Sequence, residues 1–247
     1  MFAIWPATLD AEILVTSVHV TPNTLFSVRA VLTLYAYICL AAELYVDTID
    51  GDPIGVWFTD WTWFGIVLHL SIATANSYIY VHRRDGLHIL QARPQWAHLI
   101  NWTVYALAAT YCYIVSIIFW TLLVGLMWDG ADAIHHWTAT SLHAGNSAIM
   151  LLEAIVGRTP MHIAFLIPTL AFALLYLAEA FLYHATTGQW IYPFLDTSQP
   201  DAVGFYVGIL FGFVVVYFVV WGLHAWRDQR RSRMDLRVLR KADVLLE

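Results

Sequence analysis

Charge is the first thing this sequence lacks. Only 12% of its 247 residues are Asp, Glu, Lys or Arg, against 60% hydrophobic, and the mean hydropathy is +0.64. A soluble domain carries about a quarter of its residues as charges, so a water-exposed globule is excluded and the composition is that of a membrane protein. Cysteine is nearly absent. Cys39 and Cys112 each sit inside an apolar run and make neither a disulfide framework nor a metal motif. Basic residues are few, and most of the 12 lie in one C-terminal stretch, which excludes a nucleic-acid footprint. The first residues, MFAIWPATLDAEIL, have neither the basic start and short apolar core of a secretory signal nor the Arg-rich look of a transit peptide. No internal repeat or low-complexity segment is present.

What the chain does have is long apolar stretches. They run roughly from Leu25 to Val46, Trp57 to Val81, His98 to Trp128, His135 to Gly157, Met161 to His184 and Val203 to Trp226. Each is long enough to cross a bilayer as a helix. The expected fold is therefore all-α: a polytopic membrane protein of six transmembrane helices. Residues 1–24 form an N-terminal interfacial segment, residues 25–226 the six-helix domain, and residues 227–247 a basic C-terminal tail. Pro168 predicts a kink in the fifth span. Every Lys and Arg lies at Arg29, in the loop of residues 82–97, at Arg158 or in the tail, whereas the other three loops carry only acids, from Asp47 to Asp201. The positive-inside rule then places both termini in the cytoplasm or its equivalent.

The fourth stretch, HHWTATSLHAGNSAIMLLEAIVGRTP, carries polar groups that hydrocarbon does not tolerate. His143, Asn146, Ser147 and Met150 share one helical face at spacings of three and four, and such groups turn toward a protein interior. His143 lies about 8–12 Å below the acidic boundary at roughly 1.5 Å per residue. There it can be a general base, a metal ligand or a packed core residue. Thr59 and Thr62 open the second span on the same side. A threonine hydroxyl attacks only when a base takes its proton, and a helix N-cap is the ordinary role for Thr59 or for Asp60 beside it. Among the carboxylates in or near spans, Glu153 is expected to make an interhelix bond or to lie near Arg158. Glu179 and His184 are candidates to share a cavity with His143.

Ser141-Leu142-His143-Ala144-Gly145-Asn146-Ser147 with Leu151-Leu152-Glu153, the loop Thr187-Gly188-Gln189-Trp190-Ile191-Tyr192-Pro193, and Trp57-Phe58-Thr59 together resemble the androgen-induced protein family. Those are multi-span threonine hydrolases that cleave fatty acid esters of hydroxy fatty acids. The resemblance runs from the first span to the sixth. It implies Thr59 as nucleophile and His143 as general base, with Thr62 one turn away as the alternative nucleophile. Asn146, Ser147 and Thr62 are the expected substrate-binding residues, Asn146 being a candidate for oxyanion stabilisation. No cofactor and no metal is implied. Membrane lipids and a lipid ester are the expected partners, and the tail offers a docking segment for a membrane protein. The endoplasmic reticulum or plasma membrane is the expected location, with the mitochondrial inner membrane as the alternative. Two other functions compete. One is a non-catalytic accessory subunit of a larger membrane complex that keeps a hydrolase-like fold. The other is a haem protein ligated through His69 and His143, which the absence of paired histidine boxes disfavours.

Overall fold

A computed structural model describes residues 10–128 and 130–244. All regular structure among them is helical. Helix α1 (Ala11–Val15) is short, and Ala11, Leu14 and Val15 are buried in the core. This part of the N-terminal segment thus packs inside the protein. Thr21 caps α2 (Pro22–Asp50) by accepting the Thr24 N–H at 3.2 Å, and Pro22 stands at its first position, where the missing N–H costs nothing. Gly51 ends the helix in the left-handed conformation (φ 77°), which glycine adopts freely.

Helix α3 (Phe58–His82) follows, then the short α4 (Gly86–Gln91) and α5 (Gln95–Ile118). The rod of α5 continues through a π-helical turn, Phe119–Leu123, into α6 (Val124–Met127). The next rod is built the same way, with α7 (Ala133–Thr140), a π-helical turn Ser141–Gly145, and α8 (Asn146–Val156). Helix α9 (Leu166–Thr187) grows out of a 3-10 turn, and α10 (Ala202–Val244) closes the chain. Pro168 stands third in α9. A first-turn residue has no helical acceptor for its N–H, so proline fits there as part of the helix start rather than as the expected mid-span kink.

Five helical segments are long and apolar enough to cross a membrane: Pro22–Asp50, Phe58–His82, Gln95–Leu123, Ile163–Thr187 and Ala202–Arg231. The rod of residues 133–156 is not among them, because its histidines, Asn146 and Glu153 dilute its apolar character. Of the five, the segment built on α5 is the most enclosed and that on α10 the least. Helix α5 packs against α3, α8, α9 and α10, and α2 covers the far side of α3. Two apolar clusters result. One surrounds Trp63, Leu70, Tyr105 and Met150; the other surrounds Phe58, Tyr111, Tyr176 and Phe213.

A buried ion pair ties the first of these clusters together. The Arg29 Nε donates to Glu153 Oε2 at 3.2 Å and its terminal nitrogen to Oε1, while its other nitrogen reaches Leu14 O at 2.7 Å and Ser77 Oγ at 2.8 Å. Glu153 therefore makes the expected interhelix bond, but to Arg29. Arg158 instead donates to Thr16 Oγ1 at 3.1 Å. Gly157 leaves room for the pair, since a Cβ there would lie 2.7 Å from Glu153 O and 3.1 Å from its Oε1.

The start of the basic tail is part of the bundle. Helix α10 runs through residue 227 without a break. Arg227 donates to Ala154 O (2.8 Å) and Thr159 O (2.9 Å), and Arg231 to Gly157 O and Ile155 O (both 3.0 Å). These carbonyls lie at and beyond the end of α8, where a helix leaves acceptors unmet.

Candidate functional site

The first turn of α3 sets the position of Thr59. Asp60, not Thr59, performs the capping: its Oδ2 accepts the N–H groups of Gly55 (3.2 Å) and Trp57 (3.4 Å). The Thr59 hydroxyl is left free to face the neighbouring rod, and it lies 3.1 Å from His143 Nε2. The other ring nitrogen, Nδ1, is 2.8 Å from Ala139 O. A carbonyl can only accept, so Nδ1 carries the proton and Nε2 presents a lone pair. Thr59 is then the donor to His143. His69, the other candidate haem ligand, lies elsewhere, beside Glu153 and Tyr105.

The two π-helical turns meet at this point. Phe119, first residue of one, stacks on the His143 ring with centroids 3.7 Å apart and planes at 17°. Trp120 donates its indole N–H to His143 O at 2.9 Å. Widened turns of this kind shift backbone groups out of the regular ladder and recur at functional sites. Here the other widened turn contains His143, and an indole from the facing rod satisfies its carbonyl.

Thr59 and His143 are on the wall of a cavity of about 300 Å³, at the small end of ligand sites. The rest of the wall is almost wholly apolar and comes from α5, Phe119, α9, α10 and the loop around Tyr192. Leu174, Val207 and Leu210 line it and are also more than half exposed, so the cavity opens sideways between α9 and α10 onto the lipid-facing surface.

The remaining candidates fall outside the cavity. Thr62 is buried and donates to Phe58 O at 2.9 Å. Asn146 is fully buried; its Nδ2 donates to Cys112 O at 3.1 Å and its Oδ1 accepts from Ser116 Oγ at 3.0 Å. Ser147 Oγ donates to Cys112 O at 3.1 Å and pairs with Ser116 Oγ at 2.7 Å. The polar face read from sequence is real, but beyond His143 it locks α8 to α5. His184 stacks on Trp190 (3.9 Å, 9°), and neither it nor Glu179 lines the cavity. Among the described residues no group of three His, Cys, Asp or Glu could hold a metal.

Sequence reasoning gave Phe119, Trp120 and Tyr192 no role. The first two carry no local signal. Tyr192 lies in the Thr187-to-Pro193 motif, and the fold explains the motif's parts. Gly188 ends α9 in the left-handed conformation (φ 74°), and Pro193 starts a 3-10 turn. Tyr192 between them accepts the Phe58 N–H at 3.0 Å. Burial pushes its phenol up to about 12, so it is protonated at neutral pH.

Fold and site together define an integral-membrane helical protein with a Thr–His pair beside an apolar, laterally open cavity. Residues 30–225 match the family described as FAR-17a/AIG1-like protein, and the chain belongs to that family. It is also similar to Protein rolling stone of Drosophila melanogaster, at 25% identity over 134 residues covering 51% of this chain and 47% of that protein. The chain thus spans about half the length of this curated relative. No solved structure matches it.

Proposed function

We propose that the protein is a membrane hydrolase of lipid esters, with Thr59 as nucleophile and His143 as general base. One observation carries the reading: Thr59 Oγ1 lies 3.1 Å from an imidazole nitrogen whose lone pair is free to take its proton, on the wall of an apolar cavity. Attack forms a bond from Thr59 Oγ1 to the ester carbonyl carbon as the threonine proton passes to His143 Nε2. Collapse breaks the bond to the alcohol oxygen, which leaves with that proton. Water, deprotonated by the same nitrogen, then attacks the acyl-threonine. The carboxylic acid departs, and the proton returns to Thr59. The carbonyl of Ala139 keeps the ring in the right tautomer.

The cavity supports a long-chain, apolar substrate. A methylene fills roughly the 30 Å³ of a water molecule, so about ten fit in 300 Å³. The sideways opening suits an ester already dissolved in the bilayer. The rod of residues 133–156 is the sixth membrane crossing, both termini are cytoplasmic, and the cavity faces the acidic side. The partners are membrane lipids and the ester itself, in the endoplasmic reticulum or plasma membrane. Beyond Arg231 the α10 extension is the segment left to meet a partner protein.

A fluorophosphonate probe tests the assignment on purified protein in detergent. Thr59→Ala should abolish labelling and Thr62→Ala should leave most of it. His143→Gln should fold and hydrolyse a long-chain ester several orders of magnitude more slowly. Labelling that survives in Thr59→Ala, or an active His143→Gln protein, would sink the reading.

A further inference from the structure

When Thr59 attacks, the π electrons of the carbonyl move onto its oxygen, which must be stabilised by a hydrogen-bond donor. That oxygen is one C–O bond from the carbon joined to Thr59 Oγ1, so its donor has to flank Thr59 on the cavity wall. Besides Thr59 and His143, the polar side chains of the wall are Tyr176, Tyr192 and Tyr206. The Tyr176 hydroxyl is committed to Val56 O and that of Tyr206 to Leu195 O, each at 2.8 Å. Tyr192 is placed the other way round. Its oxygen accepts the N–H of Phe58, the residue before Thr59, at 3.0 Å, and it shares the cavity wall with Thr59, leaving its proton uncommitted to any backbone carbonyl. Asn146, the donor suggested by sequence, is bonded to Cys112 O and Ser116 away from the cavity.

We propose that Tyr192 is a catalytic residue that donates its phenolic proton, as a hydrogen bond, to the oxyanion formed when Thr59 attacks. The inference rests on Thr59 being the nucleophile. The α3 start strengthens the donor. Phe58 N–H is a first-turn amide at the positive end of the helix, and a hydroxyl that accepts such a bond becomes a better donor itself. The loop motif around Tyr192 then has a chemical purpose as well as a structural one: it delivers a hydroxyl to the nucleophile across the mouth of α3.

The test uses the full chain in detergent micelles with 4-methylumbelliferyl decanoate as substrate and a decyl trifluoromethyl ketone as a mimic of the tetrahedral adduct. Tyr192→Phe should lower kcat by about 10²–10³-fold, the usual cost of one oxyanion donor, with little change in KM. The ketone should bind more weakly by a similar factor, and a non-hydrolysable decyl ether should bind as before. Placing 3,5-difluorotyrosine at position 192 keeps the bond to Phe58 and acidifies the phenol. The alkaline limb of the kcat profile should then move to lower pH; the titratable groups near it, Tyr176 and Asp60, are unchanged. A Tyr192→Phe protein with parental kcat beside an inactive Thr59→Ala protein overturns the oxyanion role alone, as does a fluorinated protein with an unmoved profile. Parental hydrolysis by Thr59→Ala overturns the nucleophile and this inference together.

Discussion

Replacing Glu153 by glutamine is the sharpest probe of what holds this bundle together. Arg29 and Glu153 are each 1% exposed, and Arg29 spreads its donors over the carboxylate, Leu14 O and Ser77 Oγ. In Glu153→Gln the shape is kept, but the charge is gone and one amide N–H faces a guanidinium N–H. Breaking a buried pair by removing one partner costs about 3–5 kcal/mol, because the other charge stays buried and uncompensated. Proteins have about 5–15 kcal/mol in total, so the loss is a large share. At roughly 2–4 °C per kcal/mol for a chain of this size, the melting point should fall by about 6–20 °C. The 12 tryptophans report the transition by fluorescence in detergent. Arg29→Met combined with Glu153→Leu removes both charges and should melt well above Glu153→Gln, since apolar replacement of a whole buried pair is often neutral or better. A Glu153→Gln protein that melts within about 2 °C of the parent, less than 1 kcal/mol on that scale, would refute the reasoning. So would a double variant as unstable as the single one.

Three further outcomes are expected. Arg231→Ala strips the donors from Gly157 O and Ile155 O and should cost about 1–3 kcal/mol, read as a lower melting point with probe labelling retained. A cysteine at Asp50 or Asp196 should react with an impermeant thiol reagent only from the non-cytoplasmic side, and one at Arg84 only from the cytoplasm; the reverse pattern would overturn the six-crossing topology. Leu174→Trp or Leu210→Trp, at the mouth between α9 and α10, should cut kcat/KM for a long-chain ester tenfold or more, the scale of a steric change in an apolar pocket. Acetate ester hydrolysis should be spared, and equal loss for both esters would argue against sideways entry.

The helices were legible because each leaves a local mark. Apolar runs located the five helices long and apolar enough to cross a membrane, as with Leu25–Val46 against the observed Pro22–Asp50, whereas the run His135–Gly157 is helical but is not among them. Contacts between distant residues left no such mark. Thr59 and His143 are 84 positions apart. Their pairing came from family resemblance, because spacing along a helix says nothing about which face of another helix it will meet. Glu153 shows the same limit: the cation near it in sequence is Arg158, but its partner is 124 positions away. The face of His143, Asn146 and Ser147 was read correctly as inward, yet periodicity cannot divide one inward face between a cavity and a helix–helix contact. That division depends on Ser116 and Cys112 O from α5. The π-helical turns were illegible for a related reason. A widened turn depends on what fills the gap, and here that is Trp120 from another rod.

The rod of residues 133–156 is not among the helices apolar enough to cross a membrane, yet it lies at the heart of the protein. Lipid cannot hold a segment carrying His143, Asn146 and Glu153, because each would leave a polar group unmet in hydrocarbon. Partner helices hold it instead, at three levels. Trp120 and Phe119 grip His143; Ser116 and the Cys112 carbonyl hold Asn146 and Ser147; Arg29 holds Glu153, with Arg227 and Arg231 on the carbonyls at its end. The lower two levels are bonded to neighbouring helices, and Asn146, Ser147 and Glu153 do not line the cavity. At the remaining level a polar pair meets an apolar space: His143 is stacked on Phe119 and hydrogen-bonded to Thr59 on the cavity wall. The general-base role proposed for His143 requires one tautomer and one direction, and the bonded levels below it supply that anchor. The polar residues that disqualify this rod as an ordinary span therefore also fix its register against α2, α5 and α10.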